Sequence, residues 1–325
     1  MQNQPVDGRE LSVTRHLPLY VVFNVASGSG NAETNQRKME EILKGAGRRH
    51  EFLLARDPKE IGRLAQRAAS LAVAHGGAVV VAGGDGTINA VAQATLPTGR
   101  PFGIVPQGTF NYSSRAHAIP LDTEAATTAL LDARVQRMQV GLVNDRVFLV
   151  NASLGLYPKL LQDREEYKKQ LGRYRTVAAL SALATLLRGH GFLSLELDHD
   201  HEREVVRTPS LFVGNNPLQL EQAGLEDADA IDQGRLAGVV LHASGSRALL
   251  GLALRGALGR LGKADAVRSF KFKRLQVQPA VRGVRKLKVA LDGEVCWMKP
   301  PIVFSVAEEP LWLLTPQPKG DATAA

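Results

Sequence analysis

A chain of 325 residues, 44% of them apolar and 22% charged, has an ordinary globular composition, and its length favours two domains over one core. No apolar run reaches the roughly 20 residues that span a bilayer, the polar start "MQNQPVDGREL" lacks a signal peptide's apolar core, and the single Cys296 excludes an internal disulfide, so a reducing, cytoplasmic setting is expected. Forty Lys and Arg against thirty-two Asp and Glu give a formal charge of +8, which favours anionic partners; with 5% aromatic residues and no basic–aromatic interleaving, nucleic acid is set aside.

Residues 1–16 and 317–325 read as tails. Between them, strands and helices alternate at first. "LYVVFN" (19–24) reads as a strand, "AETNQRKMEEILKGAG" as a helix ended by glycines, and "HEFLLA" (50–55) as a second strand. Asp57-Pro58-Lys59-Glu60 has the form of a capping box with proline at the first helical position. The helix it opens puts Ile61, Leu64, Ala65, Ala68, Leu71 and Ala72 on one face. "AVVVA" (78–82) and "FGIV" (102–105) are short apolar runs of the kind buried between helical layers, so βαβ units and a mainly parallel sheet are expected. After about residue 135 the period shortens to two. Strand segments flank the turn Asn144-Asp145-Arg146, "FLSLELDHDHEREVV" reads as a hairpin, and "SFKFKRLQVQ" and "KLKVALDGEV" alternate. Helical segments near 158–188 and 246–262 interrupt this β-rich part.

Three loops of the first part share one chemistry: "NVASGSGN" (24–31), "GGDGT" (83–87) and "PQGTFN" (106–111) each follow a strand. At that edge of a parallel sheet ligands bind, glycines let backbone N–H groups approach a phosphate, and a following helix presents its partially positive end. Ser27, Ser29, Thr87 and Thr109 add hydroxyls. The pattern GxxxxGK[ST] is absent and Glu33 spoils a dinucleotide fingerprint, so a phosphate site of another design is expected. Asp85 would repel phosphates unless a cation intervenes, and Mg²⁺ is the natural mediator.

At these residues the sequence resembles the diacylglycerol kinase catalytic-domain family, which includes bacterial lipid kinases and the sphingosine kinases. The likeness rests on Asn24 and Ser27-Gly28, on "GGDGTIN" and "PQGTFN", and on "LFVGNN" (211–216), "IDQGRL" (231–236) and "LDGE" (291–294). It implies ATP between two domains, held by Asn24, Ser27, Gly28, Gly83, Gly84, Asp85, Gly86, Thr87, Gly108, Thr109 and Asn111. It implies transfer of the γ-phosphoryl group to diacylglycerol or a similar lipid alcohol. The expected architecture is an α/β nucleotide-binding domain over 17–141, to which 305–316 returns, and a β-sandwich lipid domain over 142–304. The final strands "PIVFSV" and "LWLLTP" are both expected to return towards the first domain. For the base that accepts the hydroxyl proton, the resemblance leaves Glu294, Asp292 and Asp85 open.

Two departures from the family pattern stand out. Tyr112 follows Asn111 where relatives carry Asp, and Asp232-Gln233-Gly234 stands where they read Asp-Asp-Gly. The second supplies a structural Mg²⁺ ligand in bacterial relatives, and the matching residue here is the neutral Gln233, so an accessory metal is either absent or falls to Asp232, with Asp85 the other metal candidate. The cluster Asp198, His199, Asp200, His201 reads as a solvated hairpin tip, and Cys296 as a packed strand residue. The basic, amphipathic segments 157–189 and 247–263 suit either a core-packed helix or the inner membrane surface; a homodimer also stays open. The competing functions are a kinase for a soluble acceptor such as NAD and a non-catalytic nucleotide or lipid sensor.

Overall fold

The structure, a computed structural model, describes residues 16–27, 31–155, 192–200, 202–242, 248, 251–252, 255, 260, 262 and 264–317. The expected helix at 158–188, most of that at 246–262, Gly28 and His201 lie outside the described residues. The chain divides into two compact units, one running to Met138 and resuming at Glu308, the other covering Gln139–Ala307.

In the first unit, β1 (Leu19–Asn24), α1 (Ala32–Gly45), β2 (His50–Ala55), α2 (Ile61–His75), β3 (Ala78–Gly83), α3 (Asp85–Thr95), β4 (Phe102–Pro106), α4 (Tyr112–Ala116), α5 (Thr123–Ala129) and β5 (Arg134–Met138) follow in order. The strand Leu311–Thr315, numbered β18, completes a sheet ordered β2-β1-β3-β4-β18-β5. β2, β1, β3 and β4 are mutually parallel; β18 runs parallel to β4 and antiparallel to β5. β1, β3 and β4 are buried along their whole length, which is why they read as unbroken apolar runs, while β2 at the sheet edge alternates. α2 packs on β1 and against α3, and α1 against α5, as right-handed crossovers to opposite faces require.

The capping box forms as the sequence predicts. Asp57 Oδ1 accepts from Lys59 N–H (2.8 Å), Glu60 Oε2 from Asp57 N–H (3.1 Å), and a 3₁₀ turn at Pro58–Glu60 leads into α2. Ile61, Leu64, Ala65, Ala68 and Ala72 are buried with Ala69; Leu71 is only half-buried.

The second unit is a sandwich of two six-stranded sheets among the described residues. Its strands are β6 (Gly141–Val143), β7 (Arg146–Phe148), β8 (Asn151–Gly155), β9 (Leu193–His199), β10 (Glu202–Thr208), β11 (Ser210–Gly214), β12 (Leu236–Leu241), β13 (Val267–Phe272), β14 (Arg274–Pro279), β15 (Leu287–Leu291), β16 (Glu294–Met298) and β17 (Ile302–Val306). One sheet is ordered β10-β9-β14-β17-β6-β7, the other β13-β12-β11-β8-β15-β16. Phe148, Leu154, Leu197, Phe272, Leu275, Val289 and Phe304 fill the space between them. The alternating run "SFKFKRLQVQ" is two strands in different sheets, with Lys273 alone at the corner. β17 pairs within this unit, so "PIVFSV" does not return to the first sheet; of the two final strands only β18 does. No helix among the described residues is long and apolar enough to cross a membrane.

Candidate nucleotide-binding loops and acidic residues

β1, β3 and β4 are neighbours and end level: Phe23 pairs with Ala82, Ala82 with Val105, and Gly83 with Pro106. Their C-terminal loops therefore leave the sheet side by side, where the chain turns from β2 back past β1 to β3. Side chains then tie the loops together. Asn24 Nδ2 donates to Thr87 Oγ1 (2.8 Å), joining the first loop to the start of α3. Ser27 Oγ shares its proton between Asn24 O (2.8 Å) and Gln107 Oε1 (2.9 Å), joining the first loop to the third. Asn111 N–H donates to Asp85 Oδ2 (3.0 Å), joining the third to the second. With each neutral bond worth about 0.5–1.5 kcal/mol net and the bond to the Asp85 carboxylate about 1.5–3 kcal/mol, the three links hold the loops as one cradle.

The glycines act here through contact. "GGDGT" is hardly a turn, because Gly83 ends β3, Gly84 alone is non-helical as the N-cap, and Asp85, Gly86 and Thr87 already form the first turn of α3. None of Gly83, Gly84 and Gly108 has a positive φ. A Cβ on Gly108 would instead lie 2.8 Å from Asn111 Oδ1 and 2.9 Å from Gly84 Cα, and one on Gly83 would lie 2.7 Å from Thr87 Cβ. Backbone meets backbone where the second and third loops cross. The N–H groups of a helix's first turn have no intrahelical acceptor, and at α3 the ladder begins with Ile88 N–H on Gly84 O (2.9 Å).

Asn111 shapes the third loop. It sits at φ +50, a left-handed conformation that Asn tolerates better than most residues. Its amide spans Gly108, accepting from Gly108 N–H (3.0 Å) and donating to Gly108 O (2.8 Å). Both ends of its side chain are thus engaged with the loop itself. Thr109 is exposed on that loop. Tyr112 starts α4 and stacks on Phe110 with ring centroids 6.0 Å apart. Behind the loop, burial pushes the His117 imidazole down to about 4.

In the second unit, Asp292 and Gly293 form the two-residue tip of the β15–β16 hairpin with φ of +45 and +93, the turn that Asp-Gly favours. Asp292 does more than turn the chain. Its carboxylate accepts from the N–H groups of Leu149 (2.7 Å), Val150 (2.9 Å) and Asn151 (2.8 Å). These three bonds engage both carboxylate oxygens with backbone amides. Glu294, the first residue of β16, is exposed. Asp232 is exposed in a turn, and Gln233 Nε2 donates to Asp229 Oδ2 (2.7 Å). Lys271 Nζ lies 2.7 Å from Asp229 and 4.0 Å from Asp227, and this ammonium holds the Asp229 carboxyl below its ordinary range. A lysine thus pairs with Asp229 and Asp227 beside this turn; no group of three or more His, Cys, Asp or Glu that could hold a metal occurs among the described residues. Burial pushes the Cys296 thiol up, as suits a packed strand residue.

Sequence reasoning did not assign Gln107, Asn215 or residues 149–151. Gln107 and Asn215 stood inside quoted motifs, whereas nothing local marks 149–151.

Comparison with known proteins agrees with this architecture. Residues 18–143 match the family model of the diacylglycerol kinase catalytic domain. The protein named "Probable lipid kinase YegS-like" from Pseudomonas aeruginosa UCBPP-PA14 is 42% identical over 113 residues, 33% of this chain and 37% of its own length. The protein named "Diacylglycerol kinase" from Staphylococcus saprophyticus is 28% identical over 137 residues, 42% of this chain and 44% of its own. An uncharacterised Synechocystis protein is 26% identical over 60% of this chain and 46% of its own length. The matches span less than half of each of these relatives. A crystal structure of a diacylglycerol kinase from Bacillus anthracis Sterne shares the fold, with a TM-score of 0.66 over 92% of this chain and 97% of its own at 18% identity.

Proposed function

Because residues 18–143 match the family model of the diacylglycerol kinase catalytic domain, we propose that the chain is an ATP-dependent lipid kinase that transfers the γ-phosphoryl group to the hydroxyl of diacylglycerol or a related lipid alcohol. The observation that carries this reading is the hydrogen-bonded cradle of three loops at the ends of β1, β3 and β4, closed by the Gly84–Gly108 contact at the start of α3. Backbone N–H groups of these loops and the positive end of α3 receive the phosphates. Thr87, bonded to Asn24, and Gln107, bonded to Ser27, keep the cradle's walls at fixed separation.

Mg²⁺ fits at Asp85. Mg²⁺ in such sites takes one or two protein carboxylates and completes its shell with phosphate oxygens and water, and Asp85 is one carboxylate at the first turn of α3, oriented by Asn111 N–H. When bound, the ion would neutralise charge on the transferring phosphoryl group, where most of the barrier reduction in phosphoryl transfer arises. No step is assigned to an accessory ion at Asp232. Glu294 is the proposed acceptor of the lipid hydroxyl proton, a contribution typically 10²–10⁴-fold; Asp292, whose carboxylate accepts from three backbone amides, is given a different role.

The test is phosphoryl transfer from labelled ATP with Mg²⁺ to diacylglycerol in mixed micelles, beside Asp85→Asn and Glu294→Gln. Label in an organic-phase product, lost in both variants, supports the reading. Phosphorylation of NAD alone selects a soluble acceptor, and ATP binding without transfer selects a sensor.

A further inference from the structure

Leu149 and Val150 connect β7 to β8, Asn151 opens β8, and every backbone polar group of the three has a named partner. Their N–H groups converge on Asp292: Leu149 on Oδ2 at 2.7 Å, Val150 and Asn151 on Oδ1 at 2.9 and 2.8 Å. On the carbonyl side, Leu149 O accepts from Asn215 Nδ2 (3.1 Å), Val150 O from Asn215 N–H (2.8 Å), and Asn151 O from Asp292 N–H (2.9 Å). Asn215 is itself fixed, since its Oδ1 accepts from Gln139 Nε2 (2.9 Å). Asn151 and Asn215 are each only 4% exposed. Successive amides aimed at one point form a nest, a concavity that selects an anion. Here the anion is the chain's own side chain, contributed from about 140 residues away in sequence.

A type I′ turn alone would accept Asn-Gly as readily as Asp-Gly. The nest would not. An asparagine at 292 replaces one acceptor oxygen by an NH₂ donor and sets it against an amide donor. The two motifs "LFVGNN" and "LDGE" therefore meet on one segment, Asn215 holding its carbonyls and Asp292 its amides. What they fix in common is the hairpin tip, and Glu294 is the first residue beyond that tip, paired with Leu291.

We propose that Asp292 is the positioning residue for Glu294: as the built-in anion of the 149–151 nest it sets where the hairpin tip holds that carboxylate. The proposal rests on the reading of Glu294 as the base. Asp292 moves no proton itself.

The experiment uses the full chain as wild type, Asp292→Asn, Asp292→Gly and Glu294→Gln. Transfer from ATP to diacylglycerol in mixed micelles is measured with sodium formate, sodium acetate or chloride at equal ionic strength. Misplacement of a reacting group by about 1 Å costs on the order of 10²-fold, so both Asp292 variants are expected to lose roughly 10- to 100-fold in kcat with KM for ATP unchanged. Formate should restore Asp292→Gly several-fold, and more than the bulkier acetate; neither should restore Asp292→Asn or Glu294→Gln. Wild-type kcat in Asp292→Asn overturns the proposal. So does rescue that follows basicity, acetate above formate, because Asp292 would then be the proton acceptor. Hydrogen exchange at the amides of 149–151, read in the same proteins without substrate, should quicken in Asp292→Gly and slow again with formate. Unchanged exchange overturns the nest. Should the wild type phosphorylate no lipid while exchange behaves as expected, the kinase reading falls and the anion nest stands.

Discussion

Replacing Gly108 by alanine tests whether contact, rather than flexibility, explains the glycines of the cradle. The added Cβ would sit 2.8 Å from Asn111 Oδ1 and 2.9 Å from Gly84 Cα. The second of these is backbone and cannot rotate away. Overpacking of this kind costs about 1–3 kcal/mol, and displacing the Asn111 amide endangers its two bonds to Gly108 at about 0.5–1.5 kcal/mol each. A total on the order of 2–6 kcal/mol corresponds to a fall of about 4–24 °C in the melting temperature of a unit this size, at about 2–4 °C per kcal/mol. Gly84→Ala is the control, because its Cβ would stand 3.4 Å from Gly108 Cα, near ordinary contact. Thermal denaturation of both variants, with ATP binding followed by calorimetry, gives the comparison. Gly108→Ala should lose stability and bind ATP more weakly than Gly84→Ala. If Gly108→Ala melts and binds ATP as the wild type does, or if Gly84→Ala is the worse of the two, the contact argument is wrong.

Other outcomes follow from individual contacts. A double-mutant cycle with Asn24→Ala and Thr87→Val, read by urea denaturation, should give a coupling energy of about 0.5–1.5 kcal/mol through the 2.8 Å bond; zero coupling would mean the first loop is not tied to α3. Asp57→Ala should lower stability by about 1 kcal/mol through loss of the capping box and leave phosphoryl transfer unchanged. His117 is held at about 4 by burial, against about 6.5 unfolded, so the unfolded chain binds the extra proton between these values. Its contribution is complete above about pH 6.5 and is lost as pH falls towards 4, by on the order of 3 kcal/mol from the shift. Urea midpoints of the wild type should therefore drop from pH 7 to 4.5 more than those of His117→Phe, and parallel curves would refute the assignment.

The parallel sheet and the shared edge of the three loops were legible because unbroken apolar runs such as Val79–Val81 have no other easy home than a strand covered on both faces. The conformation of "GGDGT" was not legible as such. Three glycines and an aspartate read as a loop, whereas Asp85 to Thr87 are helical, Gly83 lies against Thr87, and Gly84 meets a partner loop some 25 residues on. Nothing local to Gly84 announces Gly108. "PIVFSV" and "LWLLTP" show similar apolar patterns, yet β17 and β18 belong to different sheets; only the pairing partners, set by three-dimensional register, separate them. For the same reason the single run "SFKFKRLQVQ" hid a corner at Lys273. Asp292 could be singled out as an acid but not given its work, since Asp-Gly already has a sufficient local explanation and its amide partners are remote.

The insertion of β18 between β4 and β5 carries a consequence for biosynthesis. At about 5–20 residues per second, Leu311–Thr315 leaves the ribosome roughly 9–35 s after Met138, once the intervening β-rich unit has been made. Until then β4 has an empty neighbour and β5 has nothing to pair with, so the nascent first unit waits with an open seam that a chaperone, or another chain's strand, could occupy. A fragment cut at the limits of the family match, 18–143, would keep that seam for good.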